Sequence, residues 1–312
     1  MSPRMAASRI IGALLVAMAA ALWATDTLFR VPALGSLNPV FIVLCEHLVG
    51  VLFLSPWPIL PAIPSLFRLR FSQILGLLIV GAGGSALGTV LFTASFREVH
   101  PSVAILLQKL QPLLVIGLAS IFLKEKLKSR FLKWAALALG AGVLLSFPDL
   151  DFSFLSGGID PRSHGVLLAL GAATLWAIST VVGKLLLSEI PASQITGWRY
   201  FFGLMGLITY MAVSDSPWSW EALFGDRIVL RAVLFTSLIS GLLSMFLYYQ
   251  GLARTRATTA TLMELVFPVS AVFLNAVWLE RPLSQVQLGA ALVLVAAVTR
   301  ISFLDTSSAP KK

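Results

Sequence analysis

Charged side chains are what this sequence has least of: 12% of its 312 residues, about half the roughly 25% of an ordinary soluble domain. So few charges cannot cover a water-facing surface. A chain that is 58% hydrophobic is equally far from the polar composition of a disordered one. Cysteine occurs once, as Cys45, which excludes a disulfide framework and any cysteine-built zinc or iron–sulfur centre. His47, His100 and His164 lie far apart in the chain, so no metal set is expected from them. Signature motifs of soluble enzymes are missing as well. No Walker A loop is present, and no HExxH helix, GxSxG elbow or GxGxxG fingerprint stands where it could work. ATP hydrolysis by this chain is thereby excluded, and no cofactor is expected.

Long apolar runs, by contrast, are abundant. About ten reach the roughly 20 residues needed to cross a bilayer as a helix. They run near Ile10–Phe29, Val40–Pro56, Ile74–Phe96, Pro101–Leu123, Phe131–Phe147, His164–Leu187, Ser193–Val213, Ile228–Gly251, Ala257–Leu279 and Leu283–Leu304. The formal net charge of +9 could suggest nucleic acid, but the bases sit in short loops between the spans, a distribution that follows the positive-inside rule. Fifteen loop lysines and arginines fall on the side of the N-terminus. Six fall on the other: Arg30, Arg97, Arg162, Arg227, Arg231 and Arg281. Both termini are therefore expected in the cytoplasm. The first span follows Arg4 and Arg9 as a signal peptide would, but it is too long for a typical h-region and is read as retained. A linker carrying Gly157, Gly158 and Pro161 divides the chain into residues 1–148 and 164–304, with the linker at 149–163 and a polar tail at 305–312.

The two halves repeat one another. An offset of 153 aligns Gly12, Leu22, Trp23, Ala24 and Thr27 with Gly165, Leu175, Trp176, Ala177 and Thr180. An offset of 156 aligns Ala104, Leu106 and Pro112 with Ala260, Leu262 and Pro268. Five spans per half is an odd number, so the second half enters the membrane the other way up. That makes an inverted-topology repeat with a pseudo-two-fold axis in the membrane plane, an arrangement suited to exposing one central site to each side in turn. The expected fold is thus an all-α membrane protein of ten transmembrane helices in a 5+5 inverted repeat.

Further along, each half carries a proline followed some 12 to 13 residues on by glutamate: Gln-Pro-Leu-Leu to Leu-Lys-Glu-Lys-Leu (Gln111–Leu127), and Phe-Pro-Val-Ser to Leu-Glu-Arg-Pro-Leu (Phe267–Leu283). Together with the early Leu-Trp-Ala of each half, this pattern resembles the drug/metabolite transporter superfamily and, within it, the EamA family. The resemblance covers nearly the whole chain. It implies an exporter of small metabolites such as amino acids, driven by ion or solute gradients, in a bacterial inner membrane. Members often carry arginine in the second span of a half. Arg199 fits this in the second half, whereas the matching place in the first half is Glu46, which breaks the symmetry of the implied site.

Charge buried at the bilayer centre costs at least roughly 2.5–3.5 kcal/mol per residue, so each case needs a reason. Glu46, near the middle of its span, reads either as a proton-coupling carboxylate assisted by His47 or as half of a static ion pair with Lys109 or Arg199. Gln108 and Gln111, an i, i+3 pair flanking Lys109, precede Pro112, which deprives the Gln108 carbonyl of its helical donor. Glu264 stands four residues before Pro268 in the repeat-equivalent place. These groups are expected to contact substrate (Gln108, Lys109, Gln111) and a coupling ion (Glu46, His47, Glu264). Trp23 and Trp176, equivalent in the repeat, and Tyr248 beside Tyr249 offer ring faces to a flat or cationic solute, or serve as packing and belt residues. Asp26 with Arg30 reads as an i, i+4 surface pair at a helix end. Arg199, between Trp198 and Tyr200, reads either as a residue close enough to an interface to snorkel or as a functional group of the site. Glu125 and Glu280 are expected to cap helices or meet loop bases. Gly84 and Gly88 form a GxxxG spacing, suited to packing within the chain or to a homodimer contact. Expected partners are a small-molecule substrate and the lipid bilayer, not nucleic acid. Alternatives are a nucleotide-sugar or lipid-linked-sugar carrier, a membrane-embedded enzyme and an accessory subunit. Polyphosphate substrates would call for more cations than Lys109 and Arg199 supply.

Overall fold

A computed structural model describes residues 3–99, 101–108, 110–125, 127–146, 149–150, 161–214, 216–278 and 284–306. Among these residues every regular element is helical. The first half contains α1 (Pro3–Trp23), α2 (Asp26–Ala33), α3 (Pro39–Leu54), α4 (Ile63–Leu66), α5 (Phe71–Leu78), α6 (Gly88–Glu98), α7 (Pro101–Gln108), α8 (Gln111–Phe122) and α9 (Ser129–Ser146). The second contains α10 (Pro161–Leu186), α11 (Ala192–Val213), α12 (Trp220–Gly225), α13 (Arg227–Phe235), α14 (Ser244–Arg254), α15 (Ala257–Met263), α16 (Val266–Trp278) and α17 (Gln285–Thr306). Joined end to end, these make five helical stretches long and apolar enough to cross a membrane: Ala7–Ala33, Pro39–Leu66, Phe71–Glu98, His164–Leu186 and Arg227–Arg254. Shorter apolar helices accompany them, including Gln111–Phe122 and Ala257–Ala271.

Small side chains fill the interior and large ones face outward. Ala19, Ala138, Ala172, Ala173 and Ala177 are completely buried, whereas Leu52, Phe53, Phe71 and Leu292 are more than 60% exposed. In hydrocarbon a large apolar side chain gains nothing by moving inside, while small residues let backbones approach closely. Two such approaches join the halves. A Cβ on Gly12 would lie 2.7 Å from the Arg254 Cβ and 2.9 Å from the Gly251 carbonyl oxygen, so α1 lies directly against α14. At the repeat-equivalent Gly165 a Cβ would lie 2.6 Å from the Glu98 Cβ, and α10 lies against the end of α6. Gly84 and Gly88 face Ser179 and Trp176 of α10, so the GxxxG spacing is used for packing within the chain.

Several spans expected as single helices are interrupted. Between α5 and α6, and again between α13 and α14, the backbone widens into π-helical turns at Ile79–Leu87 and Thr236–Leu243. In the second of these, hydroxyls take up loosened carbonyls: Ser237 Oγ donates to Val233 O at 2.6 Å and Ser244 Oγ to Gly241 O at 2.9 Å. Such side-chain repair is what permits a helix defect at membrane depth. The fourth span stops at Gln108 and resumes at Gln111, because Pro112 supplies no N–H and the chain tightens, with Leu110 N–H donating to Leu107 O at 3.1 Å. Pro268 acts likewise, and Leu265 and Phe267 donate to Leu262 O and Glu264 O at 3.2 and 3.0 Å. Gln108 and Gln111 are therefore not i, i+3 neighbours on one continuous helix, as the spacing suggested. They stand on either side of a break.

Glu125 ties the halves together at another point. Its carboxylate accepts from Ala257 N at 3.0 Å, Thr258 N at 3.3 Å and Thr258 Oγ1 at 2.6 Å, with Arg256 Nε at 3.5 Å. It caps a helix, but one of the opposite half: the open N–H groups of α15 receive the charge that favours a helix start. Glu280 lies outside the described residues. Close glycine contacts give a direct test. Gly12→Val and Gly165→Val should each cost about 1–3 kcal/mol through overpacking and lower the unfolding midpoint in detergent. Gly117→Ala and Gly289→Ala, where an added Cβ meets nothing within 4 Å, should not lower it.

Candidate functional site

The helix interruptions border one central cavity of about 1020 Å³, its open mouth included. Its floor and walls carry three polar groupings and two aromatic pairs.

The first grouping is a buried triad. Arg30, on α2, is 5% exposed. Its Nε lies 2.5 Å from Asp26 Oδ2 and its Nη2 2.8 Å from Asp26 Oδ1, while Nη2 is also 2.7 Å from Glu46 Oε1. Nη1 donates to Thr93 Oγ1 at 3.1 Å, and Ser240 Oγ donates to Asp26 Oδ1 at 3.3 Å. Asp26 and Arg30 do pair at i, i+4, but in the interior rather than at the surface. The reason is the kink at Ala24–Thr25, after which α2 packs on α13 and the π turn at Thr236–Leu243. Glu46 takes Arg30 as its partner, not Arg199 as the sequence suggested. Lys109, the other partner expected, lies outside the described residues.

The second grouping is centred on Ser85. Arg199 Nε donates to Ser85 Oγ at 2.9 Å and Nη1 to Tyr249 OH at 3.3 Å. His47 Nε2 is 2.8 Å from the same Ser85 Oγ, and its Nδ1 is 2.8 Å from Val43 O. A carbonyl only accepts, so Nδ1 carries the proton. The Ser85 hydroxyl accepts from Arg199 and has its own proton to give to Nε2. A neutral imidazole thus satisfies every contact. Arg199 is 5% exposed and does not snorkel; the π turn at Ile79–Leu87 brings Ser85 within its reach.

The third grouping joins the two interrupted spans: Gln111 Nε2 donates to Glu264 Oε2 at 3.2 Å. Gln108 also lines the cavity, and its Oε1 is buried without a hydrogen-bond partner. Aromatic walls complete the site. Trp23 packs on Tyr248 with ring centroids 5.5 Å apart, and Trp176 packs on Phe92 at 5.0 Å. By the repeat offsets Trp176 corresponds to Trp23 and Tyr248 to Phe92, so one aromatic pair occurs twice. Tyr248 OH is fixed by Thr180 Oγ1 at 2.9 Å. Of the nine residues singled out as binding or coupling groups, Trp23, Glu46, His47, Gln108, Gln111, Trp176, Tyr248 and Glu264 all line this cavity.

Comparison with known proteins places the chain. The model of the EamA-like transporter family matches residues 10–147 and again residues 163–303. The chain belongs to the EamA-like transporter family. Among its relatives is the riboflavin transporter ImpX of Fusobacterium nucleatum, 32% identical over 308 residues, covering 96% of this chain and 99% of ImpX. The inner membrane transporter YhbE of Escherichia coli K12, named as uncharacterized, is 25% identical over 75% of this chain and 82% of its own. A solved crystal structure 17% identical in sequence superposes with a TM-score of 0.74 over 94% of this chain and 98% of the other, which shows a shared fold. The protein is thus an integral membrane transporter of this family rather than an enzyme. Among the described residues no group of three or more His, Cys, Asp or Glu could hold a metal ion.

Sequence reasoning missed several cavity groups of this EamA-like chain. Ser85 was hidden inside the GxxxG spacing. Ser179 and Thr180 sit at the repeat equivalents of Asp26 and Thr27, which is the signal that could have found them. The triad yields a test. Arg30→Ala leaves two carboxylates buried without their cation, a loss of about 3–5 kcal/mol, and should sharply lower the unfolding midpoint in detergent. Adding Asp26→Asn and Glu46→Gln to Arg30→Ala should recover most of it.

Proposed function

We propose that this chain is a secondary carrier of ten transmembrane helices in a 5+5 inverted repeat, moving a small polar metabolite with a flat ring system by alternating access. The observation that carries the substrate reading is the duplicated aromatic pair, Trp23 with Tyr248 and Trp176 with Phe92. Ring faces presented from two related walls suit a planar solute. Amide and hydroxyl groups of Gln108, Gln111, Ser179 and Thr180 stand among them to read its polar edge. Riboflavin, named for the ImpX relative, has both a flat ring and a polar chain, and is the first solute to test. An aromatic amino acid is the second, since the resemblance implies amino acids and Arg199 supplies a cation for a carboxylate.

The inverted repeat is supported by matched packing, α1 on α14 and α10 on α6, and by π turns in both halves. Loop charge favours both termini in the cytoplasm, and the name of the YhbE relative favours an inner membrane. The resemblance implies outward movement. Glu46, His47 and Glu264 are the groups assigned to the coupling ion, and His47 shares the Ser85 hydroxyl with Arg199.

The test uses purified protein in liposomes loaded with riboflavin, aromatic amino acids and a control pool of sugars and nucleotides. Riboflavin or an aromatic amino acid should leave selectively relative to protein-free vesicles, and uptake from outside in a parallel experiment gives the direction. Trp23→Leu and Trp176→Leu should each slow the flux by about threefold to tenfold, the equivalent of one lost ring contact. Selective flux of a non-aromatic solute, unchanged in both variants, would refute the ring reading.

A further inference from the structure

Two arginines are buried beside the central cavity, and they are satisfied in different ways. Arg30 is held by two carboxylates, Asp26 and Glu46. Arg199, equally buried at 5% exposure, has no carboxylate within ion-pair distance among the described residues. Its Nε and Nη1 donate to two neutral hydroxyls, Ser85 Oγ at 2.9 Å and Tyr249 OH at 3.3 Å. Nη2 donates to none of the described residues, so its two N–H groups remain for the cavity that Arg199 lines. A hydroxyl accepts a hydrogen bond but does not cancel a charge, and neither does water. A guanidinium at membrane depth without a counterion is costly and needs a reason.

Its surroundings form a fixed donor set. Ser85 gives its own proton to His47 Nε2, so Arg199 is anchored through Nε. The Tyr249 ring stands beside the guanidinium, with Cζ 5.8 Å from the ring centroid. Tyr249 OH accepts from Arg199 and keeps its own proton, which no described residue accepts. Tyr249 is 1% exposed and also lines the cavity. An open amino group and an open phenol proton therefore lie on neighbouring side chains, beside one positive charge. A carboxylate answers all of these: two oxygens to accept, one charge to cancel, and a plane that matches the guanidinium fork. The aromatic wall begins at the same point. Tyr249 packs on Tyr248 with centroids 5.5 Å apart, and Tyr248 packs on Trp23 at 5.5 Å.

We propose that Arg199 and Tyr249 form a carboxylate subsite of the central cavity. The acid group sits on Arg199 Nη2 and Tyr249 OH, and a flat ring attached to it reaches the wall of Tyr248 and Trp23. This deepens the carrier reading and rests on it only for the ring. Of the two solutes named there it favours the aromatic amino acid, because riboflavin has no carboxylate.

The test is equilibrium binding of radioactive 3-phenylpropionate and, separately, of its neutral primary amide to the purified full-length protein. Binding of the acid should be saturable, and the amide should bind about tenfold or more weakly. Arg199→Gln should bring the acid down to the level of the amide while the amide binds as before. A merely structural arginine would lower both together. Tyr249→Phe should weaken the acid by about threefold to tenfold. Arg70→Gln, which removes an exposed arginine paired with Glu189 away from the cavity, should change neither. The proposal is overturned if folded wild-type protein shows no saturable binding of the acid, if the amide binds as tightly as the acid, or if Arg199→Gln keeps the preference for the acid. Displacement by inorganic phosphate stronger than by unlabelled acid overturns it too. The wild-type comparison of acid with amide decides even if neither cavity variant folds. Ringless propionate separates the subsite from the ring reading. Displacement as strong as that by 3-phenylpropionate leaves the subsite standing and refutes the ring, whereas equal binding of acid and amide with weak propionate leaves the ring and refutes the subsite.

Discussion

An amide or carbonyl left without a partner in hydrocarbon costs several kcal/mol, and the arrangement of this protein follows from that constraint. The polypeptide breaks its helices at Ala24–Thr25, at the two π turns, between Gln108 and Gln111 and between Met263 and Val266. Each of these defects places residues on the central cavity. Serine hydroxyls and short i→i+3 bonds take up part of the freed groups. The same defects that threaten stability are therefore the sources of polar chemistry in the centre of the bundle.

Buried charge obeys a similar logic. Among the described residues that line the cavity, Asp26, Glu46 and Glu264 stand against Arg30 and Arg199. Arg30 serves two carboxylates at once, with the planar fork that a lysine ammonium lacks. Arg199 bonds to the hydroxyls of Ser85 and Tyr249, neither of which cancels its charge. In the carrier reading proposed above, the aromatic pairs would supply contact area, while amides and hydroxyls would set orientation.

Contacts between halves are of two kinds, and they imply different freedoms. Glycine-mediated approaches, α1 on α14 and α10 on α6, are close backbone contacts that each join helices from both halves. The Glu125 cap on α15 is polar and lies at a helix end, where water can replace it when the contact opens. In the alternating-access reading proposed above, motion between these helix pairs would pivot near the interrupted spans, around residues that line the cavity.

The membrane class, the helical fold, the duplication and the family follow from the sequence by itself, because apolar run length, loop charge and repeat spacing are local or periodic properties. Trp23, Trp176 and Glu264 were legible as cavity candidates for the same reason: each falls at a repeat-equivalent or proline-linked place. Partner choice was not legible. Asp26 and Arg30 have the spacing of an ordinary surface pair, and only the kink after Trp23 turns them inward to meet Glu46. Ser85 is unremarked in a glycine-rich run until a π turn presents it to both His47 and Arg199. Glu125 resembles a cap on its own helix, yet the helix it caps begins at Ala257. Which charge meets which is decided by helix defects and by packing across distant segments, and a linear sequence encodes neither distance nor facing direction between them.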